Sequence, residues 1–190
     1  MSTSSKFTSA DLLLMPDDGK RYEVIQGELH VAKQPSYHHQ FACGRFFRFL
    51  DEWNDRTGLG IAIEAPGLIF AEDEDVAPDL VWVSRARGLQ VFGVDGKLHS
   101  APELVIEVLS LGLTNRQRDC QAKLKLYSLR GVLGYWIVDW QQQQAEVYRR
   151  SDGELSLVQT LYREDTLESS LLPGFSCKIA SLLLSLPSPS

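Results

Sequence analysis

Cysteine is scarce in this 190-residue chain, and Cys43, Cys120 and Cys177 are odd in number, widely spaced and free of any Cys-x-x-Cys pair. Neither a disulfide framework nor a cysteine zinc site is suggested, and a reducing cytoplasm fits. The four histidines, His30, His38, His39 and His99, show no His-x-x-x-His spacing, which argues against a zinc hydrolase. No apolar run approaches the roughly 20 residues of a bilayer span, and the start MSTSSKFTSADLLLM lacks the basic-then-apolar layout of a secretory signal. A cytoplasmic protein with no membrane partner is expected. Positive charge is also short: 19 Lys and Arg face 25 Asp and Glu, for a net charge of −6. Such a chain cannot wrap phosphate as a polycation, so any nucleic-acid contact must be local.

What is present reads as one globular domain, with 44% hydrophobic and 23% charged residues. Residues 1–20 form a polar arm and a short helix capped by Thr8 or Ser9, with the domain proper over 21–186 and a disordered tail over 187–190. Alternation on either side of Gln26-Gly27 predicts a hairpin, Arg21–Gln26 with Glu28–Ala32. Ser36 opens a helix over Tyr37–Trp53, where Phe41, Ala42, Phe46, Phe49, Leu50 and Trp53 recur at steps of three and four. Strand-like segments follow at Gly60–Phe70, Asp79–Ser84, Glu103–Leu109 and Tyr135–Trp140. Between the last two, Asn115–Leu129 is a second amphipathic helix stopped by Gly131. A strand, a helix and another apolar strand make a β-α-β unit with parallel strands, while the hairpins are antiparallel. The fold class is therefore α/β with a mixed sheet. A closing hairpin around Asp152-Gly153 and a last apolar segment, Leu171–Leu186, complete the domain.

Two carboxylates stand where the pattern asks for something else. Glu107 interrupts Leu104-Val105-Ile106-x-Val108-Leu109, a run expected of a central strand covered on both faces. An ionised carboxylate desolvated there needs a cation or shifts its pKa upward. A place at a sheet edge, or pairing to an arginine, is the plainer reading. Asp79 follows Pro78 at the entrance of the next strand-like segment, beside the acidic run Glu72–Asp75, which reads as a solvated loop face. Lys123 lies among Cys120, Leu124, Leu126 and Tyr127, near the buried face of the second helix. It can point inward, snorkel along the helix, or pair with Asp119 at the i,i+4 spacing.

Taken in order, Arg21-Tyr22-Glu23, Gly27-Glu28-Leu29, Pro35-Ser36-x-x-His39, Ala77-Pro78-Asp79-Leu80, Pro102 to Ser110, Asp119-x-x-x-Lys123-Leu124-x-x-Tyr127, Gly134 to Asp139 and Leu172-Pro173-Gly174-Phe175 resemble the Uma-two restriction-endonuclease family of the PD-(D/E)XK nuclease superfamily. The resemblance runs from about Arg21 to Leu183. It implies a restriction-endonuclease-like core in which Asp79, Glu107 and Lys123 are catalytic and the two carboxylates hold a divalent metal, Mg²⁺ or alternatively Mn²⁺. Two residues after Glu107 stands Leu109, not the namesake lysine, so the lysine has moved to the helix, with Lys125 as the competitor. The two are about 200° apart on an α-helix, so only one can face the sheet.

Mg²⁺ binds oxygen ligands and keeps several waters, so the two carboxylates and the Val108 carbonyl suffice to anchor it against a phosphodiester. Glu28, His39 and Tyr127 are candidate accessory residues, against the alternatives of a hairpin salt bridge for Glu28 and of hydrogen-bonded core positions for the other two. Arg45, Arg48, Arg116 and Arg118, with Arg85 and Arg87, are candidate phosphate contacts, although surface solvation is the default. The implied function is Mg²⁺-dependent cleavage of DNA by a homodimer, since cutting both strands commonly recruits two active sites. The alternatives are an inactive nuclease-fold binding or regulatory module and a metal-dependent phosphoesterase on another nucleotide substrate.

Overall fold

Side-chain alternation along three apolar central strands divides the interior into two cores. The structure is a computed structural model describing residues 6–112, 116 and 118–185, Asp119 through its backbone only; the first five residues of the expected arm, the expected helix start at Asn115 and the expected tail 187–190 lie outside the described residues. The elements are α1 (Ser9–Leu12), β1 (Arg21–Ile25), β2 (Glu28–Ala32), α2 (Tyr37–Thr57), β3 (Gly60–Glu64), β4 (Leu68–Ala71), β5 (Glu74–Val76), β6 (Leu80–Ser84), α3 (Gly88–Val91) and β7 (Leu104–Val108). A π-helical segment (Arg118–Lys123) then runs into α4 (Leu124–Arg130), followed by β8 (Gly134–Asp139), β9 (Gln144–Ser151), β10 (Glu154–Tyr162), β11 (Thr166–Ser169), β12 (Leu172–Lys178) and a 3₁₀ turn (Ile179–Leu182).

The main sheet has the order β10-β9-β8-β7-β6-β3. It is mixed, because β7 and β8 are parallel, with Glu107 opposite Ile137, whereas the other neighbours are antiparallel. Leu80, Trp82, Leu104, Ile106, Trp136 and Val138 face one core. Val81, Val83, Val105, Tyr135 and Ile137 face the other, as the two-residue period of a strand requires.

Helix α2 covers the first core because its apolar residues fall on one stripe: Ala42, Cys43, Phe46, Leu50 and Trp53 are all buried. The Ser36 side chain caps its start by accepting from the His39 N–H, and Gly58 ends it in the left-handed region at φ 65°. The second core is closed by Leu126 and Tyr127 of α4 and by a smaller sheet of order β2-β1-β5-β4, which contributes Ile25, Leu68 and Val76. The architecture is the expected α/β type, a mixed sheet flanked by helices. No helix among the described residues is long and apolar enough to cross a membrane.

Three local expectations change. Gly60–Phe70 is two strands in two sheets: the chain leaves the main sheet at Ala65, whose φ of 45° and following proline end the ladder. The acidic run is a solvated turn only at Glu72 and Asp73, because Glu74 and Asp75 are buried in β5. Arg130 pairs with Glu74, and Lys97 Nζ lies 3.6 Å from Asp75 Oδ2. The second helix passes through a π-helical turn at Arg118–Lys123 where a continuous α-helix was expected, which re-aims the side chains there.

Candidate active site

Asp79 precedes β6 and Glu107 lies in β7. The antiparallel register pairs Leu80 with Ile106, so one further step sets Asp79 against Glu107. Glu107 carries the parity of Val105, the side that faces the smaller sheet, while Asp79, in the bend before β6, reaches both Arg21 of the smaller sheet and His39 of α2.

Each carboxylate is buried and held. Asp79 Oδ1 accepts from Arg21 Nη1 at 3.0 Å, while Oδ2 accepts from the Val108 N–H at 2.9 Å and sits 3.1 Å from His39 Nε2. Glu107 Oε1 accepts from Lys123 Nζ at 2.8 Å and from the Tyr127 hydroxyl at 3.1 Å. Lys123 is fully buried and points inward, while Lys125 is exposed. Burial works to raise the Asp79 pKa, but the His39 hydrogen bond and the charges of Arg21 and Lys123 outweigh it and hold the carboxyl well below its ordinary range.

A third carboxylate joins them from outside the main sheet. Glu23 on β1 is buried, with Oε1 2.9 Å from Lys123 Nζ and Oε2 3.6 Å from Arg118 Nη1. Burial again opposes ionisation, and the neighbouring Lys123 and Arg118 charges prevail, lowering its pKa. Arg118 and Lys123 are five residues apart and on an α-helix would diverge by about 140°. The wider π-helical turn lets both reach one carboxylate.

Glu23 is the residue the sequence reading passed over in favour of Glu28. Glu28 is exposed on β2, the edge strand, and does not reach the site. The available signal was an acidic residue in a strand otherwise closing on Val24-Ile25, but a half-buried hairpin tolerates such a residue without chemistry.

A cleft of about 370 Å³ opens onto the Asp79 end of this group and is lined by Lys20, Arg21, Lys33, His39, Asp79 and Arg118 among others, with Glu23, Glu107 and Lys123 buried behind its wall. Of the arginines considered as phosphate contacts, Arg118 is in the cleft. Arg45 donates to the Ser181 carbonyl at 2.9 Å and lies over the Phe49 ring, and Arg48 pairs with Glu52, so neither lines the cleft. Arg116 pairs with Asp139. Arg85 and Arg87 follow the far end of β6, roughly 20 Å from Asp79 by strand length. The lysines that join Arg21 and Arg118 at the opening, Lys20 and Lys33, flank the open end of the β1–β2 hairpin.

The sequence profile of a family described as putative restriction endonuclease, Uma2, matches residues 9–182. The chain belongs to the Uma2 family. Among solved structures, this Uma2 chain is similar to a putative nuclease from Anabaena variabilis, with a TM-score of 0.72 at 18% identity, covering 93% of this chain and 97% of that one. At that identity the likeness is one of fold. A looser likeness, TM-score 0.40 at 10% identity, is to the type IIG restriction endonuclease BpuSI, covering 77% of this chain and 16% of that one. No curated protein matches the chain.

By donor type, the carboxylates of this Uma2 site suit a hard divalent cation. Asp79 and Glu107 offer carboxylate oxygens, and Glu23 Oε2 is buried with no hydrogen-bond partner among the described residues, 3.6 Å from Arg118 Nη1. The Val108 N–H points at Asp79, and in a strand a residue's C=O leaves on the same side as its N–H, so that carbonyl faces the site as well.

Proposed function

We propose that this Uma2 chain is a divalent-metal-dependent endonuclease that hydrolyses DNA phosphodiesters, working in the cytoplasm as a homodimer. The observation carrying the proposal is Lys123, a fully buried ammonium 2.8 Å from Glu107 and 2.9 Å from Glu23, next to the strand entrance that holds Asp79. Burying that many charges is costly, and a merely structural role would be filled as well by apolar side chains.

Asp79 and Glu107, with the Val108 carbonyl, are the residues that would hold Mg²⁺ or Mn²⁺. When bound, the ion polarises the phosphoryl oxygen, lowers the pKa of a coordinated water and balances the charge of the in-line transition state. The chain's own groups supply the rest. Lys123 Nζ orients the attacking water and meets the developing negative charge. Arg118 and Arg21 place positive charge on the cleft wall, and Lys20 and Lys33 meet the backbone phosphates at its mouth. His39 and Tyr127 position Asp79 and Glu107 through their hydrogen bonds. Among the described residues, Cys43, Cys120 and Cys177 form no disulfide, in accord with a reducing compartment.

Plasmid cleavage with Mg²⁺ or Mn²⁺ tests the reading. Wild type should nick or linearise DNA, and Asp79→Ala, Glu107→Ala and Lys123→Ala should not; equal activity in all four would reject the site. One observation favours a second reading, an inactive nuclease-fold binding module. Asp79, Glu107 and Glu23 already meet Arg21, Lys123 and Arg118, a balance that requires no ion. Calorimetry that detects DNA binding but no metal uptake, even with DNA present, would select that module.

A further inference from the structure

Asp79 has neighbours that an oxygen-seeking ion does not use. His39 and Cys43 stand one turn apart on α2 and face the same way, with Cys43 Sγ 3.6 Å from His39 Nδ1. One ring nitrogen of His39, the Cys43 sulfur and one Asp79 oxygen all lie within 4.8 Å of one another, and all three residues are buried. From this juxtaposition we infer that His39, Cys43 and Asp79 form a second, thiophilic metal site that takes Zn²⁺ or a similar soft divalent ion and competes for the carboxylate assigned to Mg²⁺. The competition rests on the proposed role of Asp79, whereas the site itself does not.

The physical case is one of donor type, geometry and charge. Imidazole and thiolate select Zn²⁺ or Co²⁺ over Mg²⁺, which prefers oxygen. A tetrahedral ion with bonds of about 2.0–2.3 Å separates its ligands by roughly 3.3–3.8 Å, so the three groups need to close by only about 1 Å. His39 and Asp79 line the cleft, which offers an entry path and a fourth position open to water. On ligation the Cys43 proton leaves to solvent, so a dication raises the local charge by one, whereas Mg²⁺ on carboxylates raises it by two. Without an ion, burial and the nearby Asp79 and Glu107 charges hold the thiol protonated, pushing its pKa up.

Co²⁺ added to the full-length protein in Mg²⁺-free buffer tests the site without any cleavage assay. The expected result is a thiolate-to-cobalt charge-transfer band in the near ultraviolet that saturates at one equivalent, is displaced by Zn²⁺ and is lost in Cys43→Ser, whose Zn²⁺ affinity falls about 100-fold or more. Absence of the band in wild type, or its persistence in Cys43→Ser, overturns the inference. X-ray absorption of the Zn²⁺-loaded wild type needs no variant. One sulfur at about 2.3 Å supports the site, and a shell of nitrogen and oxygen alone rejects it. If the site forms, Zn²⁺ should inhibit Mg²⁺-driven cleavage, and a chelator selective for Zn²⁺ over Mg²⁺ should restore it. Loss of the proposed nuclease function would leave the cobalt spectrum intact.

Discussion

Lys123 Nζ stands 2.8 Å from Glu107 Oε1, tying the segment that leaves the central strand back onto that strand. The same ammonium reaches Glu23 at 2.9 Å, so one buried cation joins the main sheet, the crossover segment and the smaller sheet. Removing it leaves two carboxylates in the interior without their shared partner.

Lys123→Ala should therefore abolish cleavage and cost about 3–5 kcal/mol of stability, the usual penalty for breaking a buried ion pair from one side. Lys125→Ala, at an exposed position, should stay within about 0.5 kcal/mol of wild type and cleave normally. Urea unfolding and plasmid cleavage on both variants check the contrast; the opposite pattern would assign the catalytic lysine to Lys125.

Glu23 and Glu28 make a second contrast. Glu23→Gln should lose cleavage and stability together, because Lys123 and Arg118 lose a counter-charge. Glu28→Gln, exposed on an edge strand, should alter neither beyond about 0.5 kcal/mol and measurement error. Comparable effects from the two would mean that the hairpin acts only as structure.

Acid should unfold this protein partly through the site. Asp79 and Glu23 titrate below their ordinary values of 3.8 and 4.5, so the unfolded chain binds protons at higher pH than the folded one. Their contribution is present above about pH 4.5 and disappears as pH falls through the lowered folded values. Stability measured by urea unfolding should drop below about pH 4.5, and less steeply in Asp79→Asn. An unchanged slope in that variant would sink the linkage.

Metal uptake should depend on substrate. Asp79, Glu107 and Glu23 are balanced by Arg21, Lys123 and Arg118, so Mg²⁺ arriving alone adds two uncompensated charges, whereas a DNA phosphate brings a negative charge with it. Calorimetry should show weak Mg²⁺ binding to the free protein. In Arg21→Gln, which removes the cation on Asp79 Oδ1, affinity should rise at least about tenfold, since a unit charge a few ångströms away contributes a few kcal/mol at an effective dielectric near 20.

Much of the architecture is legible along the chain because it is set by short-range periodicity. The α2 stripe from Ala42 to Trp53, its Ser36 cap, the hairpin at Gln26-Gly27 and the parallel β7–β8 pair all follow from spacings of two, three and four residues. Asp79 and Glu107 are conspicuous for the same reason, as polar residues where apolar ones were due. The boundary at Ala65-Pro66 was less visible, because the apolar residues on both sides continue one alternating pattern into two different sheets.

Sequence alone thus determined the elements and the two strand carboxylates, since local backbone sterics and one-sided burial leave a periodic trace. Tertiary structure decided the company those carboxylates keep. Glu23 and Arg21 come from a separate sheet, His39 and Cys43 from a helix on the other core, and Arg118 meets Lys123 across a π-helical turn. Electrostatic partnership depends on distance in space, and residues brought together from far along the chain leave no regular spacing to read.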